Sequence, residues 1–211
     1  GEDHKTGQAN DQEERWKRLE AWTRERFPRA GAVRHRWSGQ VFETPDGLGL
    51  IGRARDHLYV ITGDSGMGMT HGTLGARLVA DLILGRANPF VGLYAPSRWM
   101  PGALKTLLEE NANIAAQYAD WLTGGEVGSA DDIPAGHGAV VRSGVSKHAV
   151  YKDTAGRVHE LSAVCPHLGG IVQWNPGEKT WDCPCHGSRF ACTGEVQHGP
   201  AVEGLKVIER S

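Results

Sequence analysis

Apolar positions in the first 123 residues recur mostly at helical spacing. Trp16, Leu19 and Trp22 share one face of a segment that Asn10 or Asp11 can cap. Glu14 is placed for a capping box there, and Pro28 ends the segment near Phe27. Leu74, Leu78, Val79, Leu82 and Ile83 form a second stripe, stopped by Gly85. Leu104, Leu107, Leu108, Ile114, Tyr118 and Trp121 form a third, which predicts a helix over residues 103–122. Between the helices, residues 33–41 and 58–62 read as extended, and Pro45-Asp46-Gly47 as a turn. The second stretch runs into a glycine-rich turn over residues 63–72.

After Thr123-Gly124-Gly125-Glu126-Val127-Gly128-Ser129 the helical period disappears. Short segments at 139–142, 148–152, 158–164, 171–174, 180–182 and 205–209 alternate with turns, which predicts a small all-β domain. The expected fold class is therefore α+β. Residues 1–123 form one part, 124–130 a linker, and 131–211 the β domain.

Lys+Arg number 23 against 25 Asp+Glu, a formal net charge of -2 with no basic stripe, so nucleic acid is not an expected partner. Gly, Arg or Asp breaks every long apolar run, and no membrane span is expected. The polar opening residues do not resemble a secretory leader, and the composition is that of a soluble, cytoplasmic protein.

Chemistry concentrates in the last third. The four cysteines, Cys165, Cys183, Cys185 and Cys192, all lie there, too clustered to staple the whole chain. Cys165-Pro166-His167 is followed, after fifteen residues, by Cys183-Pro184-Cys185-His186. Each half presents one thiolate and one imidazole from a tight loop. Two such loops can grip a binuclear iron–sulfur centre, with two cysteines on one iron and two histidines on the other. A zinc site also takes Cys and His, but its common spacing groups like with like.

Residues 130–211 resemble the Rieske iron–sulfur family through these two loops. The resemblance implies a [2Fe–2S] cluster held by Cys165, His167, Cys183 and His186. Gly199-Pro200-Ala201 is similar to the family's proline loop over the cluster. Two positions depart from the respiratory members. Gly170 stands where they have a cysteine that would pair with Cys185, leaving Cys192 as another candidate partner. Phe190 stands where they have a tyrosine that donates to a ligand sulfur. Ser188, another donor of that family, is retained. Losing donors to sulfur lowers the potential.

The earlier residues resemble the C-terminal half of the FAD-dependent D-amino-acid oxidase-like family. Arg36-Trp37-Ser38-Gly39-Gln40, Pro45-Asp46-Gly47, Ile51-Gly52-Arg53 and the run from Thr62 to Gly72 carry the likeness, in that order. Members with a fused C-terminal Rieske domain match over essentially the whole chain. By that resemblance, residues 1–123 are the end of a truncated flavoprotein-like α/β part, and Gly66, Gly68, Met69 and Thr70 face FAD. No dinucleotide-binding βαβ unit is present in the chain, so tight FAD binding by this chain alone is not expected. The implied activity is oxidation of an amine-like small-molecule substrate by flavin. The cluster would pass electrons between the flavin domain and a redox partner protein. The alternative is a free-standing Rieske ferredoxin-like carrier. No residue stands out as a catalytic acid, base or nucleophile.

Overall fold

Antiparallel hairpins organise residues 137–198 of the computed structural model, which describes residues 2–208. β1 (Leu50–Arg55) and β2 (Leu58–Thr62) precede them as a separate hairpin. β3 (His137–Ser143), β4 (Ser146–Lys152) and β5 (Val158–Ser162) form a three-stranded sheet in that order. β6 (Gln173–Asn175), β7 (Thr180–Asp182), β8 (Arg189–Ala191) and β9 (Val196–His198) form a four-stranded meander. Trp181 opposes both Trp174 on β6 and Phe190 on β8, and Trp181 and Phe190 are fully buried. They share one core with Val140, Ala149, Leu161, Ile171 and Val172. Burying each of these large rings contributes on the order of 2–3 kcal/mol. Cys165, Cys183 and Cys185 belong to the same core.

Compactness groups the chain into two units, Gly1–Ser38 with Ala112–Ser211, and Gly39–Asn111. The glycine-rich stretch 124–130 lies within the first. In that unit α1 (Gln12–Arg26) docks beside the β6–β7 turn, where a Cβ on Gly177 would come within 2.7 Å of Gln12 Cβ. Nearer the N-terminus the chain passes along residues 182–184. A Cβ on Gly7 would meet Asp182 O at 2.7 Å, and Gln8 Nε2 donates to Pro184 O.

Two expectations need correction here. The capping box at Glu14 does not form. The Asp11 carboxylate accepts from Arg15 at 2.8 Å, and Glu14 pairs with Lys17, so ion pairs a turn away take both acidic groups. Residues 33–41 join no strand among the described residues. A side chain anchors the stretch instead, as Ser38 N–H donates to Glu178 Oε1 at 2.6 Å.

In the second unit, α2 (Gly68–Ile83) packs on the β1–β2 hairpin through Leu78 and Ile51, both fully buried. α3 (Val91–Tyr94) follows, and α4 (Leu104–Gln117) leaves this unit for the first. The third predicted helix thus stops being α-helical at Gln117 and tightens into a 3-10 turn, Tyr118–Leu122. Residues 205–208 contribute a single bridge, Leu161 to Val207, where a strand was expected, and Glu209 lies outside the described residues. Among the described residues no helix is long and apolar enough to cross a membrane.

Arg98 holds the Pro45–Gly49 turn. It is nearly buried and donates to both Asp46 oxygens and to the carbonyls of Leu48 and Gly49. These bonds hold the Asp46 carboxyl at about 2, below its ordinary 3.8. The folded value is the lower one, so the stabilisation is full above about pH 4 and is lost as pH falls towards 2. It amounts to about 1–2 kcal/mol after allowance for solvent at Asp46. In urea melts between pH 6 and pH 2, the gap between wild type and Asp46→Asn is expected to close on the acid side. A gap independent of pH would reject this account.

Candidate metal centre

The two loops expected to bear the ligands fill equivalent places. Loop 165–170 joins β5 to β6, and loop 183–188 joins β7 to β8. Their internal bonds match. Cys165 N–H donates to Gly170 O and Gly169 N–H to Cys165 O. Cys183 N–H donates to Ser188 O and Gly187 N–H to Cys183 O. Gly169 and Gly187 have φ of 77° and 81°, a conformation that side chains disfavour. The pattern Cys-Pro-x-x-Gly-x is therefore one loop used twice, with histidine third in the first copy and fourth in the second.

Closing the loops turns backbone N–H groups towards sulfur. Cys165 Sγ accepts from the His167 N–H and the Ser188 hydroxyl, and Cys183 Sγ from the Cys185 and His186 N–H groups. The two thiols also lie within hydrogen-bonding reach of each other. Cys183 as donor holds the Cys165 thiol down at about 6, while that bond and burial push Cys183 up. The imidazoles of His167 and His186 meet edge to face, 4.9 Å between centroids. Burial lowers the His186 pKa, with His167 adding to it, which favours the neutral form a metal takes. Sulfur thus pairs with sulfur on the core side and nitrogen with nitrogen on the solvent side, where Pro166, Leu168 and Pro200 are exposed.

This donor set fits a binuclear cluster. Two thiolates already furnished with N–H donors suit one iron, and two neutral imidazoles suit the other.

Around the ligands, Ser188 is fully buried and its oxygen accepts the Ala201 N–H at 3.0 Å, tying the Gly199–Ala201 segment to the second loop. Phe190 is fully buried in the shared core. All four cysteines are free. Cys185 lies within hydrogen-bonding reach of Cys183, and Cys192 sits against the Tyr151 hydroxyl. A Cβ on Gly170 would come 2.5 Å from Cys185 Sγ, so a side chain there would have to displace or bond to it.

Two sets of supporting residues were not foreseen. Asp182 and Arg189 close the base of loop 183–188 with paired bonds of 2.9 Å, and Asp182 also accepts from Thr180 and Asn175. Arg189 further donates to Ser38 Oγ. Tyr118, Asp120 and Trp121 hydrogen-bond to the first loop and its exit. In the sequence Asp182 read only as the end of a short β segment, and Tyr118 and Trp121 as the end of a helical stripe.

The residues expected to face flavin lie at the start of α2. Gly66 has φ of 80°, Gly68 opens the helix, and Met69 is 90 % exposed beside exposed Thr70. No side chain caps this helix end, although the Asp64 carboxylate accepts from Gly66 N–H and lies close to Gly68.

Paired Cys and His loops on antiparallel hairpins are the features of an electron-transfer protein of the iron–sulfur class, and the family matches agree. Residues 124–209 match the Rieske [2Fe-2S] domain family, and residues 1–82 match the FAD dependent oxidoreductase family. YhfW of Bacillus subtilis, designated a Rieske 2Fe-2S iron–sulfur protein, is 34 % identical over 99 % of this chain. The chain spans 42 % of the length of YhfW. The cytochrome b6-f complex iron–sulfur subunit of Synechococcus sp. WH7803 is 32 % identical over 63 % of this chain and 72 % of its own length. The Rieske protein PetC3 of Synechocystis PCC 6803, a solved structure, is 29 % identical over 34 % of this chain and 74 % of its own, with a TM-score of 0.32. The chain belongs to the Rieske [2Fe–2S] family, here joined to FAD-dependent oxidoreductase sequence.

Proposed function

We propose that the chain passes single electrons between a flavin and an external redox partner, within an oxidoreductase that acts on an amine-like small molecule. One observation carries this reading: a flavin-family segment and a Rieske segment succeed each other in one chain. A bound [2Fe–2S] cluster supplies one-electron exchange, at a potential raised by imidazole ligation. Phe190 brings no hydroxyl to the sulfurs, so Ser188 is the side-chain donor there, which favours the lower part of the Rieske range.

The open N-terminus of α2 supports a flavin-facing role for Gly66, Gly68, Met69 and Thr70, because free N–H groups there favour negative charge. Exposed Met69, Ile83 and Leu84 in the same unit suit a covering protein surface. Free Cys185 and Cys192 suit a reducing, cytoplasmic compartment. A second reading, a free-standing electron carrier, is supported by the placement of Cys165, His167, Cys183 and His186 within one compact unit.

The test combines FAD titration with anaerobic mixing of cluster-loaded chain and photoreduced FAD. Weak FAD binding is expected, weakened further by Met69→Glu, together with reduction of the cluster. FAD that neither binds nor reduces the cluster would leave only the carrier reading.

A further inference from the structure

Tyr118–Leu122 turns with three residues per turn, so Tyr118 and Trp121 point the same way. Both reach the first cluster loop. Tyr118 Oη donates to Leu168 O at 2.6 Å, and Trp121 Nε1 donates to Gly169 O at 2.9 Å. Asp120, between them, accepts from Gln173 Nε2 at 2.8 Å, where the loop enters β6. Ile114, Tyr118 and Trp121 also pack against the core that holds three of the cysteines. All four residues lie in the stretch 83–123, which neither family match covers.

The two cluster loops differ in what holds them. Loop 183–188 has the Asp182–Arg189 pair at its base and the Ser188–Ala201 bond at its end. Loop 165–170 has no such ion pair across its base, where Val164 and Ile171 form a backbone bridge. No disulfide ties it to its neighbour. Its Leu168 and Gly169 carbonyls flank the left-handed Gly169, where a peptide flip is easiest. Fixing both carbonyls removes that freedom.

We propose that the Tyr118–Leu122 turn is a clamp for loop 165–170, with Tyr118 and Trp121 as positioning residues that hold Cys165 and His167 in place for the cluster. The inference rests on the cluster assignment for its purpose, though the clamp itself is a property of the chain. By ordering the loop beforehand it lowers the entropy lost on loading and slows loss of the metal.

The experiment uses the full chain with Tyr118→Phe, Trp121→Phe and the double variant, which remove the donors and keep the rings. In cluster-free protein, amide exchange in residues 165–170 should rise about fivefold per bond removed, while β3–β5 amides stay unchanged. In loaded protein, cluster absorbance should decay faster in chelator, and the reduction potential should shift, most in the double variant. Exchange that is unchanged in 165–170, or that rises evenly across the sheets, overturns the proposal. If wild type takes up no iron, the metal assignment fails, while the exchange comparison still decides the clamp.

Discussion

His167→Ala and His186→Ala are each expected to abolish the iron–sulfur centre and leave the protein folded. Each imidazole is half-buried, on the solvent side of its loop, and packs edge to face on the other. Truncating either therefore removes little core contact, and a stability change within about 1 kcal/mol is expected. The metal is affected far more. One iron of a Rieske centre is held by two histidines, and one imidazole cannot complete its coordination. Iron should fall from about two per chain to near none, with loss of the visible colour and of the EPR signal of mixed Cys/His ligation. The native far-UV spectrum should persist. Full iron content in either variant would remove that histidine from the ligand set.

The largest stability loss is expected at Asp182→Ala. Asp182 and Arg189 are almost wholly buried, and the carboxylate also takes bonds from Thr180 and Asn175. Removing it strands a guanidinium in the core and leaves two polar side chains short of an acceptor. Breaking such a buried pair from one side costs about 3–5 kcal/mol. Asp182→Asn keeps the shape and an acceptor oxygen, so it should cost less. The measurement is exchange of β7 and β8 amides in the cluster-free chain, where both variants should lose protection in that order. A loss below about 1 kcal/mol in Asp182→Ala would mean that Arg189 finds another partner or water.

The paired Cys and His loops were legible because a short motif encodes them locally. Cys165, His167, Cys183 and His186 come from two hairpin loops whose closure depends on neighbouring Pro and Gly, so spacing alone carried the signal. The meander was only half legible, since strands such as β8 and β9 are too short to show a period. β1 is interrupted by Gly52 and Arg53, which hid its partnership with β2. Residues 33–41 alternate as a strand would, yet a segment becomes a strand only where an edge is offered to it. Asp182, Arg189, Tyr118 and Trp121 were illegible for a different reason. What Tyr118 and Trp121 do is defined by partners 50 and 48 residues along the chain, and Asp182 meets Arg189 only because β7 and β8 fold back on each other. Periodicity reports only which side of an element is apolar. It does not report that a helix will tighten at its end and aim a phenol and an indole at two carbonyls.

Descent and packing divide this chain at different places. Family likeness changes hands between residues 82 and 124, whereas compactness changes hands at 38 and at 112. Gly7, Gln8 and Ser38, of flavin-family descent, therefore touch the hairpin that carries Cys183 and His186. A recombination event that exchanged the Rieske part at its homology border would leave that lining behind with the donor. The incoming domain would meet a lining shaped for another loop.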